Sequence, residues 1–249
     1  MENRPVIRIL ARTIQPEYEE RFLKWQYEVY FPLYITVDEI QEISGYQILR
    51  NNPQYPPSLN ILHYRNRTDQ MNLRKNQKYI DITKDSNTTW GPRIEPIWMV
   101  AYELIKSLQN VPIKSKRGTL SEVNPNTIIH LEGCTLLQGE AEKYERWFTK
   151  WGNEVYMPIM MKLCGLVEFA WYRCIDVDLT GLASYLIPKR PVEYPSYLSV
   201  LTFESPDAYD NYEKSPELAA FRYALRVPFP RGLEYKWYIQ YQLEKSFRK

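Results

Sequence analysis

The sequence predicts an α+β protein built from two tandem β-α-β-β-α-β units. Three observations carry this. The segment Lys24-Trp25-Gln26-Tyr27-Glu28-Val29-Tyr30-Phe31-Pro32 returns 126 residues later as Lys150-Trp151-Gly152-Asn153-Glu154-Val155-Tyr156-Met157-Pro158. Each half then carries a proline-punctuated loop ending in Tyr-Pro, at Tyr55-Pro56 and Tyr194-Pro195. Each half closes on W-x-x-x-Y-x-L: Trp98, Tyr102 and Leu104, then Trp237, Tyr241 and Leu243. A repeat this long marks a duplicated small domain rather than a solenoid, whose periods are shorter. The units are placed at residues 1–111 and 127–249, joined by a linker at 112–126.

Taken in order, Val6 to Gln15 alternates as a strand, with Arg8 and Arg12 on one face. Pro16 opens a helix at its first turn, and Glu17, Glu19 and Glu20 suit the positive end of the helix dipole. Tyr18, Phe22, Trp25, Val29 and Leu33 predict one continuous apolar stripe. The 126-residue offset repeats it as Tyr144, Phe148, Trp151, Val155 and Ile159. After each helix a glycine, Gly45 or Gly165, precedes an apolar strand running to Arg50 or Arg173. The strands after the Tyr-Pro loops, Leu59 to Tyr64 and Tyr197 to Phe203, stand 139 residues apart (Tyr55 to Tyr194), so the second unit carries about 13 extra residues around 175–193.

Second helices follow at roughly 68–81 and 206–224. The latter has Ser205 as its N-cap and Pro206 at its first position. In the closing strands Trp, Tyr and Leu fall on one face. A helix over 96–108 is the alternative, but its partner at 233–243 alternates as a strand. The resulting order is the ferredoxin-like one. The linker, Pro112 to Asn126, is rich in Lys, Ser, Pro, Gly and Asn.

With 249 residues, 44% hydrophobic and 25% charged, the composition is that of an ordinary globular protein. A net charge of +2 lacks the basic face of a dedicated nucleic-acid binder, and Lys114-Ser115-Lys116-Arg117 reads as solvated linker. No stretch approaches the ~18 apolar residues of a membrane span, and the start lacks a basic segment leading into an apolar run. Cys134, Cys164 and Cys174 form no CxxC pair, which predicts reduced thiols and a cytoplasmic protein. Expected partners are thus a small molecule, with no nucleic acid and no membrane. The aromatic content, 21 Tyr and 7 Trp, suits bulky core filling or an apolar ligand pocket.

A unit of this order with W-x-x-E-x-[H/Y]-x-P late in its first helix resembles the dimeric α+β barrel superfamily. It is most similar to the EthD-like branch, whose comparable segment often reads W-Y-D-E-x-H-x-P. The resemblance extends to antibiotic-biosynthesis monooxygenases, polyketide cyclases, muconolactone isomerases and chlorite dismutase-type heme enzymes. It implies two sheets packed as a barrel, here an intramolecular pseudo-dimer, and leaves open a further homodimer. Tyr30 and Tyr156 stand where that family keeps a histidine. A phenol with a pKa of about 10 is a poor base at neutral pH, but it donates hydrogen bonds and can act as a general acid.

The candidate chemistry follows from these positions. Tyr30 and Tyr156 would direct hydroxyls into a cavity beneath each helix, or simply pack at the helix ends. Glu28 and Glu154, beside the apolar stripe, are candidate bases; ion pairs with Lys24 or Lys150 are the simpler alternative. Arg8 and Arg12 could grip a carboxylate substrate, or lie on an edge strand with exposed heads. His63 shares its strand face with Leu59 and Ile61. His130, Glu132 and Cys134 share another, where they could face a barrel interior as a His–carboxylate pair; as a metal set they are poorly disposed. Trp98 and Trp237 are candidate walls of the binding cavity.

No GxGxxG, Walker, GxSxG or HExxH motif is present, and no cofactor is expected. The function expected is binding of a small aromatic or polyketide-like molecule in an aromatic-lined cavity, with cofactor-free catalysis. The alternatives are a non-catalytic binding or structural protein, or a heme protein of the chlorite dismutase type. The last would need an axial histidine, for which the second unit offers only His130.

Overall fold

A computed structural model describes residues 3–50, 52–110, 124–136, 141–163, 165–175, 187–188, 192–225 and 233–249. The first unit supplies β1 (Val6–Ile14), α1 (Glu19–Trp25), α2 (Phe31–Tyr34), β2 (Ile40–Ile48), β3 (Ser58–Tyr64), α3 (Arg67–Asn72), α4 (Gln77–Trp90) and β4 (Ile94–Gln109). The second supplies β5 (Ile128–Leu136), α5 (Ala141–Trp151), α6 (Met157–Met160), β6 (Leu166–Ile175), β7 (Tyr197–Phe203), α7 (Pro206–Glu213), α8 (Pro216–Leu225) and β8 (Leu233–Arg248). Both have the ferredoxin-like order. Most of the expected linker, Cys164 and most of the insertion around 175–193 lie outside the described residues.

All eight strands pair antiparallel and close one barrel in the order β1-β3-β2-β8-β5-β7-β6-β4. The two sheets therefore join at two seams, β2 with β8 and β4 with β6, so the barrel closes within one polypeptide. Alternation decides what each face meets. Ile7, Ile9 and Ala11 point into the barrel with Trp98, Tyr102, Trp237 and Tyr241, as the W-x-x-x-Y-x-L spacing predicts. The opposite faces carry the helices, over separate apolar layers in each half.

The apolar stripe of the first helices does not run through. A five-residue π turn, Gln26–Tyr30 in one half and Gly152–Tyr156 in the other, inserts an extra residue and rotates the face that follows. Phe22 and Phe148 are buried as expected, whereas Val29, Leu33 and Val155 are each 42% exposed. In their place Gln26, Tyr30, Phe31 and Tyr34 turn inward in the first half, and Gly152, Met157 and Met160 in the second. The motif proline follows each π turn as the second residue of the next helical piece. The side chain of Tyr144 lies outside the described residues.

Gly45 and Gly165 are not equivalent. Gly45 sits within β2, while Gly165 (φ +82°) turns the chain into β6. The residue 126 positions after Gly45 is Trp171. The second helix of each unit is broken into two pieces. Asn66, Asn76 and Ser205 cap theirs by accepting from the N–H groups of Asp69, Tyr79 and Ala208.

One end of the barrel is sealed symmetrically. The Trp98 and Trp237 rings stack at 4.3 Å between centroids, 11° from parallel. The Tyr102 hydroxyl donates to the Pro195 carbonyl at 3.2 Å, and Tyr241 donates to Pro56 at 3.0 Å. The N–H groups of Met99 and Tyr238 donate to the hydroxyls of Tyr194 and Tyr55. Each Tyr-Pro loop thus clamps the other unit's closing strand.

Candidate functional site

At the opposite end the barrel opens into a cavity of about 740 Å³. Its walls are inward-facing positions of the strands: Ile7, Ile61, Ile129, Val200 and Leu243 give apolar surface, and Tyr46 and Tyr172 add aromatic side chains. Glu42, Ser44, His63, Glu168 and Arg248 gather with them. This volume lies in the range of small-molecule sites, which combine apolar walls with a few convergent polar groups.

Strand register places the polar groups. Glu42 on β2 faces Arg248 across one seam and His63 across β3. The Arg248 Nε–H donates to Glu42 Oε2 at 2.6 Å, and the hydroxyls of Ser44 and Ser246 lie 3.0 Å from Oε1. Burial acts to raise the Glu42 pKa, but the charge of His63 and the bonds from Arg248 and Ser44 outweigh it and bring it down to about 2. A folded-state pKa below the unfolded value means stability that is present above the unfolded pKa and lost as pH falls toward 2. Wild type and Glu42→Gln should therefore differ most in urea midpoint above about pH 5 and converge on acidification. Parallel curves between pH 6 and 2 would refute the assignment. Burial, reinforced by the Glu42 and Glu168 carboxylates, raises the Tyr172 phenol, so it is a neutral hydroxyl at physiological pH.

A second polar centre lies outside the barrel, between the sheet and helices of the second half. His130 and Glu132 sit on the helix-facing side of β5, not the barrel interior. His130 Nε2 is 3.1 Å from Glu132 Oε1, and the Tyr156 hydroxyl donates to Glu132 Oε2 at 2.7 Å. The Gln240 amide nitrogen lies 2.8 Å from His130 Nδ1. The imidazole is fully buried and packs between Tyr209 and Tyr238. Burial alone would raise Glu132, but the bonds from His130 and Tyr156 hold it below the usual carboxylate range. Burial and the adjacent Glu132 charge push Tyr156 well up. The arrangement can move a proton: Tyr156 can pass its own to Glu132 as its oxygen takes one from an acidic ligand. The lowered Glu132 pKa makes this relay a weak base. Cys134, on the same side of β5, is a buried thiol pushed up to about 12 and joins no part of the pair.

The other expected residues are dispersed. Tyr30 is buried and donates to the Tyr34 hydroxyl at 2.6 Å, its phenol raised by burial to about 12. Arg8 is 2% exposed on the central strand β1, which overturns the edge-strand alternative. It lies over the Tyr64 ring, and its Nε and Nη2 have no hydrogen-bond partner among the described residues. Arg12 lies over Phe22 and reaches Gln26. Glu28 and Glu154 are exposed, because the π turn carries them outward; Glu154 comes within 4.0 Å of Lys150 in solvent. Trp98 and Trp237 seal the far end rather than line the cavity. His63 alone among the expected residues lines it. The sequence reading missed Glu42, Tyr46, Glu168, Tyr172 and Arg248, although the 126-residue offset pairs Glu42 with Glu168 and Tyr46 with Tyr172. Among the described residues no helix is long and apolar enough to cross a membrane.

No protein-family model matches the chain, and no curated protein matches it in sequence. Solved structures do share its fold. A "putative monooxygenase" from Fusobacterium nucleatum superposes with a TM-score of 0.62 at 13% identity, covering 100% of this chain and 96% of that one. An anthrone oxidase-like protein gives 0.59 at 10%, covering 99% and 94%. A variant of chlorite dismutase from Candidatus Nitrospira defluvii gives 0.52 at 12%, covering 98% and 93%. At such identities the likeness is one of fold. A heme of the chlorite dismutase type does not fit the histidines present. Both ring nitrogens of His130 lie within hydrogen-bond reach of Glu132 and Gln240, and His63 belongs to the barrel mouth.

Proposed function

We propose that this protein binds a small aromatic or polyketide-like molecule in the barrel-mouth cavity. The observation that carries the reading is a barrel sealed at one end by the Trp98–Trp237 stack and open at the other into about 740 Å³ of space with apolar and tyrosine walls and a polar rim. The name of one structural neighbour, an anthrone oxidase-like protein, accords with an aromatic ligand. Calorimetric titration with a panel of aromatic acids, ketones and phenols tests it. At least one should bind with a Kd below a millimolar, and Thr202→Trp, at the cavity wall, should abolish that binding. Absence of any binder, or binding indifferent to Thr202→Trp, would refute it.

Cofactor-free catalysis is the second reading, favoured by one observation: the Glu132 carboxylate is shared by Tyr156 and His130. It ranks second because Glu132 is a weakened base and the centre lies outside the barrel.

A further inference from the structure

The internal repeat supplies a control for the barrel-mouth cavity, because each polar position of one unit can be compared with its counterpart in the other. Glu42 and Glu168 are counterparts, 126 residues apart. So are Ser107 and Ser246, and Gln109 and Arg248, each pair 139 apart. The register agrees: Glu42 faces Arg248 across the β2–β8 seam, and Glu168 faces Gln109 across the β4–β6 seam. At the first seam Glu42 receives a guanidinium N–H and two hydroxyls. At the second, Glu168 Oε1 receives, among the described residues, the Ser107 hydroxyl at 2.9 Å and the Gln109 amide at 3.3 Å. The geometry is kept, and among the described residues the cation is missing.

We propose that Glu168 is the docking point for the cationic group of the ligand: an amine or guanidinium on an aromatic-sized apolar body. The proposal rests on the barrel-mouth reading above and narrows its ligand class. Three carboxylates, Glu42, Glu168 and Glu204, line the cavity against the Arg248 guanidinium and the His63 imidazole, both of which face Glu42. An anionic ligand would meet net repulsion there. A carboxylate held by neutral donors in a partly enclosed space gains most from an opposite charge. The Tyr172 and Tyr46 side chains line the same cavity and suit an aromatic body.

The test uses three probes of similar shape on the full chain: tyramine, the neutral 4-ethylphenol, and the anionic 3-(4-hydroxyphenyl)propanoate, titrated by calorimetry. Tyramine should bind about tenfold or more tighter than 4-ethylphenol, and the acid weakest. Glu168→Gln should erase the preference for tyramine while leaving 4-ethylphenol unchanged. Gln109→Arg, which installs the guanidinium present at the other seam, should also abolish the preference and raise Tm. It keeps the proposal testable if Glu168→Gln folds poorly. Equal binding of tyramine and 4-ethylphenol, or an unchanged tyramine affinity in Gln109→Arg, would overturn the cation assignment and leave the cavity reading standing. Failure of all three probes to bind at millimolar concentration would overturn both.

Discussion

Trp98→Ala is expected to lower the stability of the whole chain by about 3–5 kcal/mol. Trp98 is 6% exposed and Trp237 4%, and their stack is the contact where the two units meet at the sealed end. Truncation removes the buried ring, its stacking partner and the edge contact with Tyr55, and leaves a cavity that the clamped Tyr-Pro loops are poorly placed to fill. Trp237→Ala should cost a similar amount, because Tyr194 and Tyr102 pack on it as Tyr55 does on Trp98. The double variant should cost much less than the two singles combined, since both remove one contact. Urea unfolding followed by far-UV circular dichroism measures this. A loss under about 1 kcal/mol for either single variant would show that the stack does not hold the units together.

Gly152→Ala should destabilise toward the upper end of the ~1–3 kcal/mol typical of overpacked cores. A Cβ at Gly152 would lie 2.3 Å from Cη2 and Cζ3 of Trp171, a ring that is 2% exposed and held by Phe148 and Tyr197. The first half explains why the site is so strict. Its counterparts are Gln26 and Gly45, and there Tyr27 and Phe31 fill the space above the glycine. The second half reverses the sizes. Trp171→Leu should therefore recover much of the loss in the Gly152→Ala background, with a coupling of about 1 kcal/mol or more. Additive costs would contradict the packing argument.

These two sites also show what was legible in the sequence. Period-two alternation placed Trp98, Tyr102 and Leu104 on one strand face, and the structure puts that face inside the barrel. The Tyr-Pro pairs marked the loops that clamp the sealed end, and Ser205 and Pro206 marked a helix start that the structure keeps. The apolar stripe was misread beyond Trp25 because a regular α period was assumed, and the π turn breaks that period without a composition signal of its own. The polar groups of the barrel mouth were missed for two reasons. The strand carrying Glu42 was started at Gly45, five residues after its true beginning at Ile40. The contacts of Glu42 with Arg248, and of Glu168 with Ser107 and Gln109, form across seams between units, and no local pattern states which strands meet there. The Tyr156–Glu132–His130 centre needed the helix to be seated on the sheet before the three residues could be recognised as one group.

Nuclear magnetic resonance on ¹⁵N-labelled protein, titrated with 4-ethylphenol, tests the central claim most directly, because it locates the ligand without assuming its charge. The barrel-mouth assignment predicts amide shift changes concentrated at Ile7, His63, Ile129, Thr202 and Leu243, with Trp98 and Trp237 unmoved. Changes concentrated instead around His130, Glu132 and Tyr156 would place the ligand between sheet and helices and contradict the account.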